Sequence, residues 1–193
     1  MKFFGWRMVF TGLTLEFTVV GFIFYSFPVI WPYLISELGM TESQLGMVSA
    51  FYFIPVGILA IIVGRALDKY SVKNFMMIGA IIYAIGLFSL SFINSYWSLL
   101  TIYLTILALG SIMMGNLAVA KLISNWFDKN AGRALGIAAI GISFSGVLLP
   151  LIVDPLLDLV GWRNVYVIFA SIVFFIILPL IFITVIDDPK TVN

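Results

Sequence analysis

The 193-residue sequence contains no cysteine and no histidine, and only 10% of its residues are charged. It therefore has no thiol or disulfide chemistry, none of the usual zinc ligands and no imidazole to act as a general base near neutral pH. We expect no metal, no other cofactor and no enzymatic activity. The net charge of +1 is too small to suggest nucleic-acid binding.

Apolar residues are what the sequence has in excess. They make up 63% of the chain, and the mean hydropathy is +1.17, whereas soluble domains are typically about 45 to 50% apolar. The sequence therefore predicts an integral membrane protein whose surroundings are a lipid bilayer. Its first apolar run is too long for a signal peptide and has no small-residue cleavage site, so we expect it to remain as a membrane span.

Six apolar stretches each approach or exceed the roughly 20 residues that a helix needs to cross a bilayer. The short intervals between them hold turn-forming and charged residues, which indicates a compact bundle of neighbouring helices. We expect an all-α membrane protein in which residues 1–193 form a single domain of six transmembrane helices. The predicted spans are 8–36, 43–67, 74–93, 97–124, 133–157 and 163–186.

Basic residues fall on one side of these spans, with Arg163 as the exception. Short loops rich in lysine and arginine remain in the cytoplasm. We therefore expect a multi-pass protein of the cell membrane with both termini in the cytoplasm. The residues that carry this asymmetry are Lys2, Arg7, Arg65, Lys69, Lys73, Lys121, Lys129, Arg133 and Lys190.

A Gly-Trp-Arg sequence occurs twice, at residues 5–7 and 161–163. The two copies precede the first and the sixth span, which an inverted three-plus-three repeat would not pair. We therefore interpret both copies as anchors at the membrane interface, where tryptophan is enriched.

Glu16 is the acidic residue that lies well inside a predicted span, about 12 Å along the helix from Met8. A carboxylate is costly in hydrocarbon, so we predict that it binds substrate or a proton. Pairing with a neighbour such as Lys121 is the structural alternative. A stripe of small and hydroxylated residues lies nearly opposite Glu16 and suits helix contacts, so we expect Glu16 to face water. The stripe consists of Thr11, Thr14, Thr18, Gly21 and Tyr25.

Three further residues are candidates for the same substrate or proton site. Asn116, in the fourth span, lies nine residues before Asn125 and so at a depth similar to that of Glu16. Hydrogen bonding between helices is its alternative role. Tyr25 and Tyr52 are amphipathic enough to contact a substrate, although packing would explain them equally well.

The segment 64–73 resembles the signature that the major facilitator superfamily carries between its second and third helices. Gly64, Asp68, Lys69 and Lys73 match that signature. The departures from it are Ser71, where glycine is usual, and Val72, where a base is common.

Two other segments are similar to the oxalate/formate antiporter and monocarboxylate porter branches of that superfamily. The first is Phe24-Tyr25-Ser26-Phe27. The second is Trp126-Phe127 followed by Gly132-Arg133-Ala134-Leu135-Gly136. The resemblance covers the whole chain, which corresponds to the amino-terminal six helices of a twelve-helix carrier.

This resemblance implies one half of a major facilitator fold, a 3+3 inverted repeat, in a secondary transporter that works by alternating access. A small organic anion, such as a monocarboxylate or dicarboxylate, would be carried, with a proton as a possible coupling ion. A second six-helix half, from another copy or a separate chain, is the expected partner. The alternative function is a membrane interaction or regulatory module that keeps the fold without transport.

The resemblance also implies a cytoplasmic gate. In the outward-facing state, Asp68 would form a bond close to a helix of the opposite half. A nearby Arg133 would stabilise the ionised carboxylate of Asp68. The residues of this gate are Gly64, Asp68, Lys69, Lys73 and Arg133.

Overall fold

The computed structural model describes residues 4–189, and every regular element in that range is a helix. Lys2 and Lys190, which belong to the predicted cytoplasmic charge cluster, lie outside the described residues. Five helical segments are long and apolar enough to cross a membrane: α1 (Gly5–Leu38), α2 (Glu42–Leu67), α3 (Val72–Leu90), α4 (Tyr96–Trp126) and a final segment, Ala131–Thr184.

The final segment is two helices rather than one. Its 54 residues would extend about 80 Å at 1.5 Å per residue, far beyond the ~30 Å of bilayer hydrocarbon. Gly161 interrupts it with φ 75° and ψ 159°, a conformation open to glycine because it has no Cβ. We divide the segment into α5 (131–160) and α6 (162–184). The six helices of the described chain then end within a few residues of the predicted spans.

One end of the bundle, which we call the basic end, collects the start of α1, the α2–α3 and α4–α5 connections and the end of α6. Arg7 Nη2 donates to the carbonyl oxygen of Ile183 at 2.7 Å. The backbone N–H of Lys73 donates to Asp187 Oδ1, also at 2.7 Å. Helices that begin at this end therefore alternate with helices that finish there. All the described basic residues except Arg163 lie at or near it.

The opposite end, which we call the acidic end, is held by a cluster around Glu37 at the end of α1. Glu37 Oε2 accepts from Trp162 Nε1 at 2.9 Å and from Arg163 Nη1 at 2.7 Å. The Arg163 guanidinium stacks 4.1 Å from the Trp162 ring centroid and donates to the carbonyl of Ile93 at the end of α3. These contacts join α1, α3 and α6.

The second Gly-Trp-Arg copy is therefore not the interface anchor that the sequence predicted. Trp162 is only 1% exposed, because its indole N–H is directed at Glu37 rather than at the membrane surface. The first copy is different: Trp6 is exposed and meets Phe127 edge to face, while Arg7 bonds the end of α6.

Glycines bring helix backbones into direct contact. A Cβ on Gly110 of α4 would lie 2.6 Å from the backbone nitrogen of Tyr83 in α3, and a Cβ on Gly141 of α5 would overlap the carbonyl oxygen of Leu13 in α1. Such close approach supplies the packing that holds helices together in lipid, where hydrophobicity cannot drive association. Gly57 of α2, by contrast, has no neighbour within 4 Å of a built Cβ.

Replacing Gly110 by alanine should destabilise the bundle, because the added Cβ would force α3 and α4 apart. We expect a loss of about 1 to 3 kcal/mol in the free energy of unfolding, the usual cost of overpacking a core. It would be seen as a lower unfolding temperature, followed by tryptophan fluorescence in detergent. Gly57→Ala is the matched control, and equal unfolding temperatures for the two variants would contradict the α3–α4 contact.

Candidate functional site

The long helix α4 is interrupted at Gly115. This residue has φ −92° and ψ −138°, outside the helical region, and it separates 96–114 from Asn116–Trp126. The break lies directly against α1: a Cβ on Gly115 would lie 3.1 Å from Cγ1 of Val19, and one on Gly12 would lie 2.7 Å from Cγ1 of Val119. A glycine backbone of one helix therefore packs against a valine side chain of the other, both at the interruption and just beyond it.

Glu16 projects from the face of α1 that meets this break, four residues after Gly12 and three before Val19. Its side chain is 2% exposed, and its Oε2 has no hydrogen-bond partner among the described residues. The side chain of Asn116, the first residue after the break, lies beside the carboxyl group. The structure thus brings together two of the residues that the sequence singled out.

The expectation that Glu16 faces water was wrong, and the alternative of a pair with Lys121 is not seen either. It does not face water, because the second part of α4 covers the side of α1 from which it projects; Asn116 is the exposed member of the pair. It does not pair with Lys121 either, because Lys121 is bonded to Asp68. The stripe opposite Glu16 does pack on a helix, since a Cβ on Gly21 would lie 2.9 Å from that of Ser145 in α5.

Tyr25 and Tyr52 both border a cavity of about 220 Å³ between α1, α2 and α5, adjacent to the same break. The Tyr52 hydroxyl donates to Ser111 Oγ at 2.5 Å, one turn before Gly115. The ring of Tyr25 covers Gly146 of α5. The cavity is mainly apolar, and its lining consists of Val19, Val20, Ile23, Phe24, Tyr25, Tyr52, Phe53 and Ile142.

Sequence reasoning missed the break and the tyrosines that support it. The hydroxyl of Tyr83 in α3 donates to the Val19 carbonyl at 2.8 Å, and that of Tyr103 in α4 donates to the Ile23 carbonyl at 3.4 Å. Together they hold the part of α1 that turns as a π-helix over Gly21–Tyr25. The signal available for the break was a glycine followed by a polar residue in the middle of an apolar span. Nothing in the sequence distinguished these tyrosines from packing residues.

The predicted gate residues lie at the basic end. Asp68 Oδ1 pairs with Lys121 Nζ at 2.6 Å, and both border a polar cavity of about 500 Å³ between the α2–α3 turn, the end of α4 and the residues after α6. Lys69 lines this cavity as well. Gly64 lies one turn before Asp68, and a Cβ on it would lie 3.8 Å from the side chain of Leu117.

The other two gate residues are placed differently. Lys73 is the second residue of α3, with its Nζ 4.9 Å from the centroid of the Phe182 ring. Arg133 forms no ion pair with Asp68 in this chain. It lines a separate cavity of about 430 Å³ beside Trp6 and Asn130, because the first turn of α5 lies beside the start of α1. Lys121 therefore takes the place beside Asp68 that we had expected Arg133 to occupy.

A family model described as Major Facilitator Superfamily matches residues 13–193. Among curated proteins, an MFS-type transporter of Aspergillus niger is 24% identical over 82% of this chain and 36% of its own length. A probable hexose phosphate transport protein of Chlamydia trachomatis is 27% identical over 82% of this chain and 35% of its own length. The chain thus spans about a third of the length of these relatives.

Solved structures agree with this match at the level of the fold. The crystal structure of the POT family transporter PepTSo superposes with a TM-score of 0.74 at 20% identity, over 95% of this chain and 39% of that one. A bacterial homolog of the human lysosomal transporter Spinster, inward-facing and occupied, gives 0.73 at 18% identity, over 96% and 44% of the two chains. Each similarity covers less than half of the solved chain.

The contacts at the two ends of the bundle should differ in strength. Asp68→Asn should change the free energy of unfolding by about 1 kcal/mol or less, because its pair with Lys121 is partly exposed. Glu37→Leu should cost about 1 to 3 kcal/mol, because it leaves the buried Trp162 N–H without an acceptor. Unfolding temperatures of the two variants in detergent check this, and a larger loss for Asp68→Asn would contradict it.

Proposed function

The chain belongs to the major facilitator superfamily, and from that premise we propose that it is one six-helix half of a secondary transporter that carries a small organic anion by alternating access. The observation that carries this proposal is the Glu16–Asn116 pair at the break in α4. Each residue lies 10 or 11 positions from the basic end of its helix, or about 15 Å. That depth is near the middle of a ~30 Å hydrocarbon layer.

Burying a carboxyl group at that depth costs free energy, which makes such a residue a candidate functional residue. Discontinuous helices near the bilayer midplane commonly form binding sites in transporters, since their free backbone groups line a cavity. Asn116 is exposed, so a solute can reach this member of the pair, whereas Glu16 is buried behind it. We propose Glu16 as the residue that binds a coupling proton, and Asn116, Tyr25 and Tyr52 as residues of the substrate site, Asn116 beside Glu16 and the two tyrosines at the cavity on the other face of α1.

The organic anion is proposed from the resemblance to the oxalate/formate antiporter and monocarboxylate porter branches. One chlamydial relative is named for hexose phosphate, which is also an organic anion. No cation of the described residues lies beside Glu16, so the cationic side chains that would complete such a site belong to the second half of the carrier.

The second half would cover faces that this chain leaves open. α2 presents a row of exposed aliphatic side chains around Gly57, and α5 exposes Ile140, Phe144 and Val147. A second copy of the chain, packed parallel to the first, is one source of this half; a separate polypeptide is the other. Both would bury α2 and α5 and enclose the site between the halves.

The Asp68 loop is proposed as the cytoplasmic gate. Among residues 4–189, the Asp68 carboxylate forms a partly exposed ion pair with Lys121, which contributes about 1 kcal/mol or less. A helix of the second half can therefore compete for Asp68 at small cost. Arg133, which forms no ion pair with any described residue, is proposed to bond to a carboxylate of the second half.

We propose that the basic end faces the cytoplasm and that the membrane is the cell membrane. Single cysteines test this orientation, because the sequence has none of its own. Tyr70 is 66% exposed at the basic end, and Leu159 is 80% exposed at the acidic end. A membrane-impermeant maleimide added to intact cells should label Leu159→Cys and leave Tyr70→Cys unlabelled until the cells are opened. Labelling of Tyr70→Cys but not of Leu159→Cys in intact cells would indicate the opposite orientation.

Transport itself is tested by the flux of labelled lactate and succinate into proteoliposomes that contain the purified chain. Glu16→Gln should lower the flux about tenfold or more, equal to about 1.4 kcal/mol, because the residue can no longer exchange a proton. Glu42→Gln, which removes an exposed carboxylate at the start of α2, is the matched control. Asp68→Asn should also reduce the flux and shift labelling toward the inward-facing state.

Subunit counting in the same liposomes, by photobleaching of labelled chains, identifies the source of the second half. Two chains per particle would indicate a homodimer. One chain per particle would indicate an incomplete half, and the second half would then be sought in a second polypeptide or a truncated reading frame. Two-chain particles that carry neither anion would contradict the proposal. Wild-type behaviour of Glu16→Ala and Asp68→Asn would favour the alternative, a membrane interaction or regulatory module.

A further inference from the structure

We propose that the break in α4 is itself the anion site: the free backbone N–H groups of residues 116–118 bind a carboxylate of the solute, and Glu16 competes for them until it takes up a proton. This inference rests on the proposed function and deepens it by naming the atoms that hold the solute. It also explains how proton and anion would be coupled within a single half of the carrier.

The first turn of the helix Asn116–Trp126 supplies the donors. Its pattern of backbone bonds begins with Val119 N–H donating to Gly115 O at 2.9 Å, so the amides of residues 116–118 have no intrahelical acceptor. No side chain caps this turn. The N-terminus of a helix carries about half a positive charge, and here it lies inside the bundle, where low polarity strengthens its attraction for an anion.

Glu16 provides the independent indication that an anion belongs at this place. Its carboxyl group is buried, its Oε2 lacks a hydrogen-bond partner among residues 4–189, and Asn116 lies beside it. A carboxylate next to a helix N-terminus is stabilised by it. An ionised Glu16 would therefore be attracted to this N-terminus when no solute is bound. Asn116 is exposed, so a solute can reach the same turn from the open side.

No other charge faces Glu16 from the helices packed around it. On α1 the nearest charged residue along the chain is Arg7, and on α4 it is Lys121, five residues beyond Asn116 and bonded to Asp68. The start of α5 carries Arg133, which lines a different cavity. The charged side chains nearest on the other two elements are Arg65 of α2 and Lys73 of α3. The nearby hydroxyl groups of Tyr83 and Tyr52 are engaged with Val19 and Ser111.

It follows that one helix N-terminus is available to two carboxylates. Two carboxylates bound at the same helix N-terminus would be close neighbours, and neighbouring like charges repel strongly in a medium of low polarity. The solute carboxylate and an ionised Glu16 therefore exclude one another, whereas a protonated Glu16 can remain beside a bound anion and donate to it. Anion and proton would bind together and leave together.

The test measures lactate binding to the full chain in nanodiscs by saturation-transfer NMR at about pH 5.5 and about pH 8, a range in which lactate stays ionised. Wild-type affinity should fall about tenfold or more at the higher pH. Glu16→Gln should bind equally well at both pH values, near the wild-type affinity at low pH. Glu42→Gln is the control and should keep the wild-type pH dependence.

A second pair of variants tests the backbone donors. Asn116→Pro removes one N–H at the first helical position, where proline is tolerated, and Gly115 before it is already non-helical, as proline requires. Asn116→Ala removes the same side chain and keeps the N–H. Lactate affinity should be about tenfold lower for Asn116→Pro than for Asn116→Ala, with unfolding temperatures measured for both.

Three results would overturn the inference: no lactate binding to the wild type at either pH, a pH dependence that persists in Glu16→Gln, or equal affinities for the two Asn116 variants. Failure of the proposed function looks different. Lactate binding with the expected changes but no flux would reject transport and keep the site. Flux with pH-independent wild-type binding would reject the site and keep transport.

Discussion

A helix that is interrupted inside a membrane frees backbone donors and acceptors that lipid cannot satisfy. In this chain the interruption is at Gly115, and the surrounding structure depends on how it is accommodated. α1 packs against the break through Gly12 and Val19, so that the freed groups lie within protein. The acidic side chain nearest the break is Glu16, which when ionised would complement the positive end of the helix that begins there.

The need to satisfy irregular backbone inside the membrane also explains the hydrogen bonds and close packing along the rest of α1. Its π-helical turn over Gly21–Tyr25 departs from the regular bond pattern, and buried tyrosines from two neighbouring helices donate to carbonyls at or beside that turn. Gly141 lets α5 approach the backbone of α1 around Leu13. Irregular backbone is thus surrounded by hydrogen-bond donors and close packing, while the regular helix α2 faces outward and is largely exposed.

Much of this fold could be predicted from the sequence because the bilayer sets the length of each helix. The pairing of Glu16 with Asn116 could also be anticipated, since counting residues from the helix ends gives both the same depth. Helix rotation and local breaks are not fixed by such counts. The burial of Glu16, the partner of Lys121 and the position of Trp162 each depend on which face a helix turns inward. Gly115 could not be separated from glycines that only permit packing, because both occur in apolar spans.

The two ends of the bundle are held together by contacts of different strength. At the acidic end, Glu37 receives two hydrogen bonds, one of them from a buried indole, so that separating α1 from α6 would leave a buried donor unsatisfied. At the basic end, Asp68 and Lys121 are partly exposed, and water can replace either partner at little cost. Loss of the Asp68–Lys121 pair therefore costs less than loss of the Glu37 contacts. Because the Glu37 cluster joins α1, α3 and α6, these three helices should stay together at the acidic end when contacts at the basic end exchange with water.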